Sequence, residues 1–281
     1  MNLDGLLDPM PRVVVKGPRI LTIDLERVPG RFRLEGYRGS LTIEGDFWDL
    51  SQWKSFLGRR LRPDEVTEWP QTICAAWRWY GERKTHFSST WGEGGRDAML
   101  KATWEAWDDA DIVYGHNVKG FDGKKLNTDW RDAGLPQPRP VRFVDTLTEC
   151  RRVFGDESMT LAALTQRMGI ETKTDKYEVT MARAAVAGDV KAQRRLERYN
   201  RGDIAASEAL VDRLRGWINH PNLAVFTEEE HACSNCGSPE LKRDGWNHTA
   251  QTKYAQYRCQ NCGAVVRNNF IKGRAVTRKA R

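Results

Sequence analysis

Apolar and polar positions alternate with period two in the first clear element of this chain, and settle into helical spacing only later. In Arg19-Ile20-Leu21-Thr22-Ile23-Asp24-Leu25-Glu26 the alternation puts Leu21, Ile23 and Leu25 on one face of a buried strand and Thr22, Asp24 and Glu26 on the other. Residues 1–18 hold Pro9, Pro11 and Pro18 and predict an irregular lead-in or an edge strand. Residues 27–70 are rich in Gly, Arg and Trp without a long period. They predict a large loop or flap with short strands, one at 40–43, placed to cover a site or touch substrate. Strands are expected at 71–80 and 83–89, joined by a tight turn at Gly81-Glu82. Met99, Leu100, Trp104 and Trp107 recur at helical spacing, so 95–108 reads as a helix whose apolar residues belong to the core. A short strand at 111–114 and a helix at 121–132 follow, the helix stopped by Gly134 and Pro136. Then come a strand at 141–144, a short helix at 158–168 closed by Gly169, and a long helix at 189–217. Three strands followed by alternating helices and strands argue an α/β domain with a mixed central sheet flanked by helices.

Charge changes this picture at one end only. The chain of 281 residues has a net charge of +7, yet residues 231–281 hold ten Lys/Arg and two Asp/Glu. The remaining residues, with 35 basic and 36 acidic side chains, are close to neutral. The basic end therefore suits a polyanionic partner. Asn219-His220-Pro221-Asn222 and Glu228-Glu229-Glu230 mark a linker. The expected organisation is a domain over 1–218, a linker over 219–230, a small module over 231–270 and a basic tail over 271–281. No apolar run reaches membrane-spanning length and the N-terminus lacks a signal-peptide pattern, so a cytoplasmic location is expected.

Six cysteines divide into two kinds. Cys74 and Cys150 lie alone in apolar stretches, as core residues do. Cys233-Ser234-Asn235-Cys236-Gly237 and Cys259-Gln260-Asn261-Cys262-Gly263 are two knuckles whose four thiolates suit one closed tetrahedral Zn²⁺ site. The stretch resembles a zinc ribbon, too small to fold without its metal. Between the knuckles, Lys242, Arg243, Trp246 and Arg258 alternate cations with an aromatic, as phosphate contacts and base stacking require.

The acids supply the remaining chemistry. Asp24 and Glu26 point the same way, about 7 Å apart along the strand, and repel unless a cation lies between them. Read alone, they are equally two acids where a strand meets solvent. Asp122 opens a helix after Gly115-His116-Asn117-Val118-Lys119-Gly120-Phe121, where an acid also suits the helix dipole. Asp203 is the one charge on the stripe Leu196, Tyr199, Asp203, Ala206, Leu210 and Leu214, with Tyr199 one turn before it. A buried carboxylate needs a pair or a cation.

The order Asp24-x-Glu26, Asn117-x-x-x-Phe121-Asp122, Tyr199-x-x-x-Asp203 resembles the three exonuclease motifs of the DEDD superfamily, tyrosine branch. Arg198 stands where the sister branch has histidine. Val144-Asp145-Thr146-Leu147, Met159-x-Leu161-x-x-Leu164 and Met168-Gly169-Ile170 are similar to the same group. The resemblance is to exonuclease domains of family B DNA polymerases and to stand-alone phage-encoded exonucleases. It implies a ribonuclease H-like fold and a 3′→5′ exonuclease acting on DNA in the cytoplasm of a bacterium or a phage-infected host. It further implies that Asp24, Glu26, Asp122 and Asp203 hold two Mg²⁺ or Mn²⁺ ions, that Tyr199 orients the attacking water, and that Asn117 and His116 line the substrate side. Asp145 is either an acid supporting the metal ligands or the N-cap of the next helix. A polymerase or another replication or repair protein in trans is an expected partner. An endonuclease of the same fold and a non-cleaving nucleic-acid binder are the competing readings.

Overall fold

The computed structural model describes residues 17–170 and 175–275. The lead-in expected before residue 17 and the end of the basic tail, 276–281, lie outside the described residues. Two compact units emerge, one of Arg19–Arg213 and one that takes in the chain from Leu214 onward.

The larger unit carries β1 (Ile20–Val28), β2 (Gly30–Tyr37), β3 (Leu41–Phe47), α1 (Lys54–Leu57), β4 (Val66–Glu68), β5 (Gln71–Trp79) and β6 (His86–Ser89). It continues with α2 (Gly95–Asp108), β7 (Ile112–Gly115), α3 (Asp122–Asp132), β8 (Arg142–Asp145), α4 (Thr146–Val153), α5 (Leu161–Arg167), α6 (Val179–Val186) and α7 (Val190–Leu214). The main sheet has the order β6-β5-β1-β7-β8. β1 runs antiparallel to β5 and parallel to β7, and β7 is parallel to β8. The sheet is therefore mixed, as the sequence pattern predicts.

Apolar alternation decides the layers. Leu21, Ile23 and Leu25 of β1 pack with Met99, Leu100 and Trp107 of α2 and with Leu126 and Trp130 of α3. A second core joins Val28, Ile73 and Cys74 to Met181, Ala182 and Ala185 of α6 and Leu196 of α7. The two acids of β1 thus look toward the α7 side. Between Glu26 and Arg27 the register with β5 shifts: Glu26 faces Cys74 and Arg27 faces Thr72, so Ile73 has no opposite number. β1 pairs with β7 only through Thr22. Beyond that point the two strands part, and a crevice opens at their carboxyl ends, where open α/β sheets place ligands.

Residues 27–70 are more ordered than the expected flap. They form a three-stranded sheet, β3-β2-β4, with its own core of Phe32, Leu34, Phe47 and Leu61. The expected strand at 40–43 is the start of β3. Arg183 of α6 holds this accessory sheet, donating to Asp46 at 2.7 Å, Glu68 at 2.9 Å and the Pro29 carbonyl at 2.9 Å. Three short helices among the described residues, α1, α4 and α6, go beyond the elements named from the sequence.

The smaller unit holds the antiparallel sheet β11-β10-β9, made of β9 (Leu241–His248), β10 (Thr252–Cys259) and β11 (Val265–Arg274). β11 runs on to Arg274, into the stretch expected as tail. The stretch expected as a linker forms a 3-10 turn at Leu223–Phe226, and the Leu223 amide donates to the Ser234 carbonyl at 2.7 Å. Among the described residues no helix is long and apolar enough to cross a membrane.

Candidate active site and metal centre

Asp24, Glu26 and Asp203 each place a carboxylate oxygen within 4.8 Å of the other two. The first two come from β1 and the third from α7, so sheet and helix must both be in place for the cluster to exist. Asp122 is outside this tightest group but close to it: its carboxylate accepts from the Leu25 amide at 3.1 Å. That bond uses the β1 edge left open where β7 departs. Burial first, then the charges of Glu26, Asp122 and Asp203, holds the Asp24 carboxyl well above the usual carboxylate range. Burial pushes the Asp122 carboxyl up to about 7 against the backbone donors that oppose it. A set of acids this costly to ionise suits a divalent cation, whose charge removes the mutual repulsion and whose preference is for hard oxygen donors.

The segment 116–121 brings Asp122 to the crevice. The Asp145 carboxylate accepts from the Asn117 and Lys119 amides at 3.0 Å each, and from Leu147 at 3.1 Å and Thr148 at 3.2 Å. It therefore caps α4 and pins the turn at once, and its charge also raises Asp122. Asn117 has a left-handed backbone, φ 66°, which its short polar side chain tolerates. Its carbonyl accepts from the Phe121 amide at 2.8 Å. His116 is held within the turn: one ring nitrogen bonds Thr146 Oγ1 and the other the Met159 carbonyl, each at 2.9 Å. Phe121 is 36% exposed and not a core aromatic.

On α7 the Tyr199 hydroxyl hydrogen-bonds Asp203. Burial first, and then the charges of Asp203, Glu26 and Asp24, pushes its pKa up, so it stays protonated at neutral pH. Asn200, the next residue, is fully buried and donates to Asp24 Oδ2 at 2.6 Å and to the Asp24 carbonyl at 3.2 Å. Sequence reasoning passed over Asn200. Its only signal is its position four residues after Leu196 on the buried side of α7, where an amide must find a partner.

In the smaller unit the sulfurs of Cys233, Cys236, Cys259 and Cys262 lie within 4.8 Å of one another. Cys233 and Cys262 are 3.8 Å apart and Cys236 and Cys259 are 3.6 Å apart. Both are far longer than a disulfide bond and close to the edge of about 3.8 Å that a tetrahedron of thiolates has at a Zn–S distance of about 2.3 Å. Gly237 and Gly263 close the two knuckles in the left-handed region, φ 75° and 74°. Burial pushes the Cys233 thiol up, so a cation is needed to hold it as thiolate. These four residues fit a structural Zn²⁺.

The cationic side chains between the knuckles do not form one grip. Lys242 lies across from Arg258 and Arg243 across from Tyr257, and neighbours along a strand face opposite ways. One face thus presents Lys242 and Arg258, with Asp244 3.1 Å from Arg258. On the other, Arg243 lies 4.3 Å and Lys253 4.2 Å from the Trp246 ring centre. Trp246 remains 43% exposed between these two cations.

Residues 71–215 match the RNase_H superfamily. The chain belongs to that superfamily, and its mixed sheet is ribonuclease H-like. Among solved structures it is similar to the family B DNA polymerase from the hyperthermophilic archaeon Pyrobaculum calidifontis, at 14% sequence identity and a TM-score of 0.48. The similarity covers 86% of this chain and 33% of the polymerase, so the chain spans about a third of that protein's length. Comparison with curated proteins finds no match.

Proposed function

We propose that this chain is a divalent-metal-dependent 3′→5′ exonuclease that hydrolyses phosphodiester bonds of DNA. The observation that carries the reading is the convergence of Asp24, Glu26 and Asp203 to within 4.8 Å, with Asp122 bonded to the strand between the first two. Membership of the RNase_H superfamily supports it. Strand polarity and the choice of DNA rest on the resemblance of the three motifs. Asp24, Glu26, Asp122 and Asp203 would hold Mg²⁺ or Mn²⁺, which supplies an acidified water and charge for the scissile phosphate. Asn200 fixes the Asp24 carboxylate for that task. Tyr199, protonated and hydrogen-bonded to Asp203, orients a water and does not deprotonate it. The Cys233, Cys236, Cys259 and Cys262 cluster would hold Zn²⁺ and fix a sheet with Lys242 and Arg258 on one face and Arg243, Lys253 and Trp246 on the other, each a surface for phosphates.

The test is digestion of 5′-labelled DNA and RNA strands side by side, with and without Mg²⁺. Stepwise loss of mononucleotides from the 3′ end of DNA is expected. Asp203→Asn should lower the rate by at least a hundredfold while nucleic-acid binding is kept. Internal fragments would point to an endonuclease, and an absence of Mg²⁺-dependent loss to a binding protein.

A further inference from the structure

A cavity of about 290 Å³ opens beside Glu26, and residues outside the motifs make most of its wall. Trp48, Phe121 and Tyr177 supply aromatic surface, and Arg27 and Lys125 supply cations. Glu26 is also a member of the acid cluster, so whatever fills the cavity lies against the metal ligands. Arg27 is 8% exposed; one guanidinium nitrogen donates to the Pro70 carbonyl at 2.9 Å, while Nε is buried with no hydrogen-bond partner. That nitrogen is closed to the cavity, but the guanidinium charge lies in the cavity wall and suits an anionic group there. The Lys125 ammonium, 5.9 Å from the Phe121 ring centre, adds a second cation. The occupant that satisfies this wall is both flat and anionic.

Trp48 comes from the accessory sheet, in the turn after β3. The turn is fixed: the Trp48 amide donates to Gln52 Oε1 at 2.7 Å and the Ser51 amide to Asp49 Oδ1 at 2.7 Å. The indole itself is 37% exposed. An indole held by its backbone and left open on a cavity is a prepared stacking surface. Tyr177 is equally fixed, donating through its hydroxyl to the Arg27 carbonyl at 2.5 Å.

We propose that this cavity seats the terminal nucleotide of the substrate and that Trp48 is the positioning residue against which its base stacks, with the charges of Arg27 and Lys125 beside its phosphate. The identity of the ligand rests on the exonuclease reading; the geometry of the wall does not. The accessory sheet thereby becomes part of the substrate site.

The test uses the full chain and the 5′-monophosphate of 2-aminopurine deoxyriboside, whose fluorescence is excited apart from the indoles and is quenched by stacking. Wild type should bind and quench it. Trp48→Ala should weaken binding roughly tenfold, the loss of one base–aromatic stack, and remove most of the quench. Trp48→Phe should restore most of both, and the thermal midpoints of all three should agree because the side chain is half-exposed. On DNA, Trp48→Ala should raise KM more than it lowers kcat. Probe binding and quenching in Trp48→Ala equal to wild type would overturn the proposal, as would hydrolysis of DNA by a wild type that does not bind the probe. Trp48-dependent binding in a protein that hydrolyses nothing would uphold the nucleotide cavity and remove the exonuclease reading.

Discussion

Asp122 is buried against the Leu25 amide with its carboxyl pushed up to about 7, and Asp24 beside it is also raised, both through burial first. A folded-state pKa above the unfolded value means that the folded chain keeps protons which the unfolded chain releases. The contribution to stability is complete below about pH 4 and disappears as pH rises through about 7, on the order of 4 kcal/mol for Asp122 alone. A divalent cation reverses the sign by pairing with the ionised form. Mg²⁺ or Mn²⁺ should therefore raise the Tm of chelator-treated protein at pH 8 and leave it unchanged at pH 5. Asp122→Asn should raise the metal-free Tm at pH 8 and shrink the metal increment. Equal increments at the two pH values would remove the metal-ligand role from these acids. The sequence singled out Asp24, Glu26 and Asp203 because acids at odd places in apolar patterns are conspicuous. Asn200, Arg27, Lys125 and Trp48 carry no such mark. An amide beside a tyrosine or a tryptophan in a Gly-rich stretch acquires meaning only from what folds against it.

The element on which the site turns is the six-residue reversal between β7 and α3. It is so tight that a Cβ on Gly115 would lie 2.6 Å from Val118 Cβ, and Val118 is fully buried. A β-branched side chain in a packed core cannot step aside. Gly115→Ala should cost about 1–3 kcal/mol in denaturant unfolding and displace Asp122, so activity should fall further than stability. Full stability in that variant would show the reversal to be looser than described. At this scale legibility followed amphipathic period. α2 occupies the residues that its Met and Trp spacing indicates, and β5 and β6 flank the turn at Gly81. The accessory sheet escaped notice although Arg31-Phe32-Arg33-Leu34 alternates as a strand should. Gly36, Gly39 and Gly45 interrupt the pattern soon after, and its core is assembled from residues as distant as Phe32 and Leu61. The sequence offers Asp145 two roles, and it fills the N-cap while also holding the turn before Asp122.

In the molecule as a whole, two units obtain stability from different sources. Arg19–Arg213 has two apolar cores on the faces of its sheet. The core of the smaller unit is built around Cys233, Cys259 and Ala264, with Cys236 and Cys262 packed on it, so its interior and its candidate metal site coincide. A zinc-selective chelator should abolish the β-sheet signal of this unit and leave the melting of Arg19–Arg213 in place. Persistence of that signal without zinc would make the cluster ornamental to folding. The division of charge was legible from sequence because it needs only counting. The distribution of Lys242 and Arg243 onto opposite faces was not, because it depends on strand pairing.

The unmatched Ile73 in β5 fixes more than local twist. Strand faces swap with every residue, so an uninterrupted ladder would pair Arg27 with Ile73 and carry the Pro29-Gly30 exit one step along. The extra residue lets two consecutive side chains, Ile73 and Cys74, enter the same core against α6. Deleting Ile73 would keep Arg27 opposite Thr72 but remove a fully buried side chain from the core shared with α6, so the loss should be read first in stability.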